Sequence, residues 1–85
     1  MTTIDPTADV VTLINVFTVA PADQQRLLDV LTEATTAVVA GMPGFVSANF
    51  HRSLDGTRVT NYAQWRSRED LEAMLAHPTT AAHLR

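Results

Sequence analysis

Residues 45–65 read FVSANFHRSLDGTRVTNYAQW, and this stretch decides the fold. Asp55-Gly56 is a strong short-range hairpin signal, because both positions tolerate the positive φ that tight turns between strands require. The flanking runs, Phe45 to Arg52 and Arg58 to Trp65, are rich in aromatic, β-branched and small residues and read as two antiparallel strands. A two-residue loop sets Leu54 against Thr57, whereas a three-residue loop with a bulge at Gly56 would shift the parity. Counting outward pairs Phe50 with Asn61, Ala48 with Ala63 and Val46 with Trp65. That register gathers Val46, Ala48, Phe50, Val59, Asn61, Ala63 and Trp65 on one face. Ser47, Asn49, His51, Thr60, Tyr62 and Gln64 fall on the other.

Upstream, Val10 to Val19 is a third strand by its Val, Ile, Thr and Phe content. Val11, Leu13, Asn15, Phe17 and Val19 share one parity, and Val10, Ile14 and Val16 sit in the other. Apolar groups on both parities predict a central strand covered on both sides. Residues 21–40 read as a helix. Pro21 suits its first turn, Leu27, Leu28, Leu31, Ala34 and Val38 recur at helical spacing, and Gly41 ends it before Met42-Pro43-Gly44 turns the chain. Beyond the hairpin, Ser67 precedes Glu69 and Asp70 as an N-cap precedes acids in a first turn. Leu71, Met74 and Leu75 form a short apolar face, and His77-Pro78 breaks the helix. Thr79 can cap a further short turn.

The order strand, helix, strand, strand, helix is most of a ferredoxin-like split βαβ unit of the α+β class. Residues 1–8 read as a loose tail and residues 9–85 as one domain. The chain of 85 residues has 46% apolar and 18% charged residues, which suits a globular domain. A net charge of -3, with six arginines and no lysine, argues against a nucleic-acid binder. The absence of cysteine excludes disulfides, thiol catalysis and Cys-ligated metals. No apolar run reaches the ~20 residues of a membrane span and no leader is visible, so a cytoplasmic protein is expected.

Polar groups on the apolar sheet face carry the chemical information. Asn61 is either bonded to neighbouring backbone or held free for a ligand. Trp65 is either a core tryptophan or a flat wall with one N–H donor. The two could line a pocket for a planar molecule, since such pockets are mainly apolar with few fixed polar groups. His51, His77 and His83 lack the spacing of a metal site. His51 is a candidate for substrate contact or for a general base near neutral pH, or else a solvated or interface histidine. No triad, nucleophile elbow or Gly-rich phosphate loop is present.

The stretch Met42 to Trp65 resembles the antibiotic biosynthesis monooxygenase family. Pro43-Gly44-Phe45, His51 with Asp55-Gly56, and above all Asn61-Tyr62-Ala63-Gln64-Trp65 carry the resemblance, which extends over roughly residues 10–85. It implies a homodimer in which two ferredoxin-like sheets form an α+β barrel. It also implies oxidation of a phenolic or polycyclic aromatic, anthrone- or quinol-like, by molecular oxygen without metal, flavin or haem. Asn61 and Trp65 match residues that hold the substrate and its oxygenated intermediate, Phe50 matches an aromatic of the same pocket, and Arg85 matches a pocket arginine. Leu71 stands where the family's anthrone oxygenases carry a tyrosine. The family also continues into a fourth strand, for which this sequence leaves no residues. These two departures keep open a second reading, a non-catalytic dimer that binds a small aromatic ligand or assembles with another protein. Haem degradation, which in relatives uses a histidine on the second helix, is a weaker third.

Overall fold

The structure is a computed structural model that describes residues 2–78. Strand β1 (Val11–Thr18) leads through a 3-10 turn at Pro21–Asp23 into helix α1 (Gln24–Ala37). A second 3-10 turn, Val39–Gly41, precedes β2 (Phe45–Arg52), β3 (Arg58–Trp65) and helix α2 (Arg68–Ala76). The sheet order is β1-β3-β2, with β3 antiparallel to both neighbours. β1 and β2 therefore run parallel, joined by α1 and separated by the inserted β3, which is the split βαβ arrangement of a ferredoxin-like α+β fold.

The hairpin register is the expected one: Phe50 faces Asn61 and Ala48 faces Ala63. Two details differ. The ladder closes at Ser53, whose N–H bonds Arg58 O at 3.0 Å, leaving four residues in the loop rather than two. There Gly56 adopts φ +80°, while Asp55 Oδ1 accepts from the Thr57 N–H at 3.0 Å and from its hydroxyl at 2.7 Å. At the other end a bulge falls between Phe45 and Ser47, so Phe45 and not Val46 opposes Trp65. The bulge turns Val46 outward, 43% exposed, and sets the Phe45 ring edge-on to Trp65 with centroids 5.6 Å apart. Such an aromatic pair adds ~0.5–1.5 kcal/mol beyond its buried area, so the extra residue places the better partner inside.

The expectation for β1 is corrected. Among the described residues β1 is an edge strand covered on one face, because β3 inserts between it and β2. Leu13, Asn15 and Phe17 turn toward the helices, while Ile14 and Val16 stay 60% and 58% exposed.

The α-helical part of the first helix is shorter than expected. Pro21 starts a tight turn, Thr32 and Thr35 bond back to Leu28 O and Leu31 O, each at 2.8 Å, and α1 ends at Ala37 ahead of β-branched Val38 and Val39. Gln24 Nε2 donates to Ser53 O and Arg58 O at 3.0 Å, fastening the start of α1 to the mouth of the hairpin. For α2 the cap forms as read: Ser67 Oγ accepts from the Asp70 N–H at 3.1 Å. Leu71 and Met74 then pack with Ala63 and Trp65 into the core, joined by Phe45, Leu13 and Val39. His77 is extended before Pro78 and ends the helix. The turn expected from Thr79 lies outside the described residues.

Gly44 ties these pieces together. It adopts φ +81°, its carbonyl accepts from the Arg66 N–H at 2.8 Å, and the Asp70 side chain lies where a Cβ would stand. Only glycine meets both demands, so the entry to β2 locks against the start of α2. Within the segment expected as a tail, Thr2 and Thr3 bond to Asn49 and Gln64 on the outer sheet face.

Candidate functional site

The inner face of the sheet is ordered in rows that cross all three strands. Asn15, Asn61 and Phe50 make one row, Leu13, Ala63 and Ala48 the next, and Val11, Trp65 and Phe45 the third. Strand alternation delivers eight of them to the same side, the bulge in β2 brings Phe45 to join them, and the helices roof them. Methyl groups cannot reach that roof. A cleft partly open to solvent lies over the alanine row. Phe17, Phe50 and Phe45 flank it from the sheet. Leu31, Ala34, Thr35 and Val39 bound it on the α1 side, and Met74 and Leu75 on the α2 side.

Among the described residues no charged side chain lines this cleft. Its polarity comes from amides, one hydroxyl and the indole. Thr35 spends its hydroxyl on Leu31 O. Two atoms stand out: Asn61 Oδ1 and Trp65 Nε1 are buried and have no hydrogen-bond partner among the described residues. Each such group costs ~1–3 kcal/mol of uncompensated desolvation. The pair is complementary, since Oδ1 only accepts and the indole N–H only donates. An aromatic ligand bearing a hydroxyl and a carbonyl would satisfy both.

Of the candidate residues read from sequence, Asn61, Trp65 and Phe50 meet in this cleft. Trp65 is both wall and core: it lines the cleft, yet its exposure is 0% and it packs in the main cluster. His51 is placed elsewhere. It lies opposite Thr60 with its side chain exposed on the outer face, so within one chain it does not reach the cleft. Arg85 and His83 lie outside the described residues. Leu71, at the position of the family's tyrosine, is a core residue and does not line the cleft. The sequence reading missed Asn15, which stands directly across from Asn61 on β1. Its signal was present: it is the one polar residue in the strand's inward parity.

The two carboxyls held below the usual range are remote from this chemistry. Asp55 is lowered to about 2, first by the Thr57 N–H and then by the Thr57 and Ser53 hydroxyls. Asp5 is lowered by the same kind of contact with Thr7. Both shape turns and neither lines the cleft.

A ferredoxin-like sheet carrying an apolar, helix-roofed cleft, two of whose lining residues hold unpaired polar atoms, has the form of a small-molecule-binding domain. The chain belongs to the antibiotic biosynthesis monooxygenase family, which it matches over residues 10–85. It is 53% identical over 83 residues to tetracenomycin-F1 monooxygenase of Streptomyces glaucescens, covering 98% of this chain and 74% of that protein. A solved monooxygenase from the gene ActVA-Orf6 of Streptomyces coelicolor, in complex with nanaomycin D, is 36% identical with a TM-score of 0.73. The match covers 94% of this chain and 71% of that one. SnoaB, a cofactor-independent oxygenase from Streptomyces nogalater, is 30% identical with a TM-score of 0.68, covering 91% and 78%.

Proposed function

We propose that this chain is a cofactor-independent monooxygenase that oxidises a phenolic or polycyclic aromatic, anthrone- or quinol-like, with molecular oxygen. The observation that carries the reading is the pair of buried unpartnered atoms, Asn61 Oδ1 and Trp65 Nε1, in an apolar cleft. The similarity to polyketide oxygenases supports the reaction type.

Such a substrate needs little from the protein. Loss of a proton from the ring CH₂ gives an anion delocalised onto the ring carbonyl oxygen. The anion passes one electron to oxygen, and the resulting radical and superoxide join in a new C–O bond. Protonation of that peroxide, loss of the second ring proton and cleavage of O–O release water and leave a carbonyl. One oxygen atom enters the product and the other leaves as water. Trp65 Nε1 and the Asn61 amide N–H donate to the oxygens on which charge develops, in a site where low polarity strengthens each bond, while Asn61 Oδ1 accepts from a substrate hydroxyl. Trp65 and Phe50 hold the rings, and Asn15 supplies a second amide beside Asn61. Arg85 offsets negative charge.

The same reading includes a homodimer paired sheet against sheet. Exposed Ile14 and Val16 beside Tyr62 and His51 motivate it, and His51 belongs with this surface rather than with the cleft. Sedimentation at micromolar concentration should show a dimer, and Val16→Asp should shift it to monomer; a wild-type monomer removes this part. The setting is cytoplasmic in this reading. Among the described residues no helix is long and apolar enough to cross a membrane.

Oxygen uptake by metal-stripped protein with a panel of anthrones and quinols tests the reaction. The expected result is one oxygen molecule consumed per quinone formed. The absence of a titratable side chain from the described part of the cleft favours one competing reading, a non-catalytic binder of aromatic ligands. Saturable binding with no uptake above the protein-free rate would establish that binder instead.

A further inference from the structure

The rows of the inner face differ in size. Large groups stand at both ends, Trp65 and Phe45 in one row and Phe50 with the two asparagines in another, and Ala63 and Ala48 lie between. Small side chains by themselves mean only that something packs closely. Here the space above them is open, and both alanines line it together with Trp65 and Asn61, whose buried Nε1 and Oδ1 have no partner among the described residues. A gap bounded by an unused donor and an unused acceptor is a ligand's place rather than a packing defect.

We propose that Ala48 and Ala63 are the specificity-determining residues of this cleft: they form a flat floor that admits an aromatic system of three or more fused rings spanning from the Trp65 row to the Asn61 row. The proposal rests on the aromatic-substrate reading above and adds the size rule. Successive rows are two residues apart, so the two end rows are separated by ~13 Å along the strand. That span suits several fused rings and leaves a small ligand loose. Ring faces pack at ~3.5–4.0 Å from carbon, so a floor raised by added methyl groups has no slack beneath a flat ligand. A raised floor at its middle obstructs a ligand that must bridge both ends. A two-ring ligand still sits at one end.

Trp65 is the chain's single tryptophan, so its emission reports occupancy of the cleft. Wild type, Ala48→Val and Ala63→Val are titrated with naphthoquinone, anthraquinone and tetracenequinone. In Ala48→Val the three- and four-ring quinones should bind ~10-fold or more weaker, the scale of a misplaced methylene in a pocket, while naphthoquinone stays within ~2-fold of wild type. Ala63→Val should act in the same direction, but Ala63 is 3% exposed on the central strand and its variant can fail to fold. Ala48 is half-buried on β2 and decides the matter, with Ala48→Ser as a milder second variant expected to show the same ring-size trend. Equal weakening of all three quinones by a folded Ala48 variant, or no weakening, overturns the size rule. Oxygen uptake is measured separately. Binding that follows ring size without uptake removes the monooxygenase reading and leaves the size rule standing, and uptake without a ring-size effect does the reverse.

Discussion

The two faces of β3 treat buried polarity in opposite ways. On the outer face Gln64 is 4% exposed and its amide is engaged at both ends. Ser47 Oγ donates to its Oε1 at 2.8 Å, and its Nε2 donates to Thr3 O at 2.9 Å. Asn49 beside it accepts from Thr2 Oγ1 at 2.6 Å and donates to Tyr62 O at 3.0 Å. One residue further along β3, facing the helices, Trp65 is buried more completely, and neither its N–H nor Asn61 Oδ1 has a partner among the described residues. Leaving such a group unpaired costs as much on either face. The described chain therefore completes its hydrogen bonds where polarity holds the fold and leaves them incomplete on the face where the proposed substrate would complete them.

The comparison breaks most sharply at Asn61. Asn61→Ala removes a cleft amide whose Oδ1 has no partner among the described residues. The oxidation rate should fall ~100-fold or more, the usual loss for one donor to a developing oxyanion. Folding stability should hold, because deletion of an unpaired acceptor breaks no bond. Chemical denaturation alongside oxygen uptake reads both quantities. A normal rate in a protein of native stability takes Asn61 out of the mechanism.

Gln64 gives the converse result. Gln64→Ala strands the Ser47 hydroxyl and the Thr3 carbonyl and should cost ~1–3 kcal/mol of stability. Turnover per folded molecule should stay near wild type, since the side chain faces away from the cleft. If Gln64→Ala abolishes turnover in a protein that melts normally, the division between the two faces is wrong.

Much of this division was legible in the sequence because a hairpin register fixes the side of every residue at once. Asp55-Gly56 set the count, and the count separated Asn61 and Trp65 from Gln64 and Tyr62 before any packing was known. It also put His51 on the outer face, and only the near-neutral titration range of an imidazole made that residue a candidate for the substrate. The bulge at Val46 was not legible. It follows from the fit of Phe45 against Trp65 and from the clasp of Gly44 with Asp70, contacts made between distant parts of the chain. The exposure of Ile14 and Val16 was misread for a related reason: a strand apolar on both sides says that something covers it, without saying whether that cover is this chain. Asn15 was visible as a polar break in an apolar parity, and its meaning emerged only when β3 placed Asn61 opposite it.

The finest test of the comparison is Trp65→Phe, because Trp65 belongs to the core and to the cleft at once. Loss of the larger ring leaves a void beside Leu71 and Met74, and full truncation of such an aromatic costs ~3–5 kcal/mol. Phenylalanine keeps most of that packing and still meets Phe45. It also deletes the unpaired N–H, which recovers part of the ~1–3 kcal/mol that the orphan donor costs. The two effects oppose each other, so the net change in stability should be no more than about 1 kcal/mol, as set by the cavity and orphan-donor magnitudes. Ligand binding has no such compensation, because the bond from Nε1 to a substrate oxygen is lost outright. Calorimetric titration, needed because the variant lacks tryptophan, should show quinone affinity down ~10-fold, the value of one neutral hydrogen bond at its upper range. If the melt falls steeply and affinity does not change, Trp65 is a core residue whose N–H is idle. The contrast between the two faces would then rest on Asn61 alone.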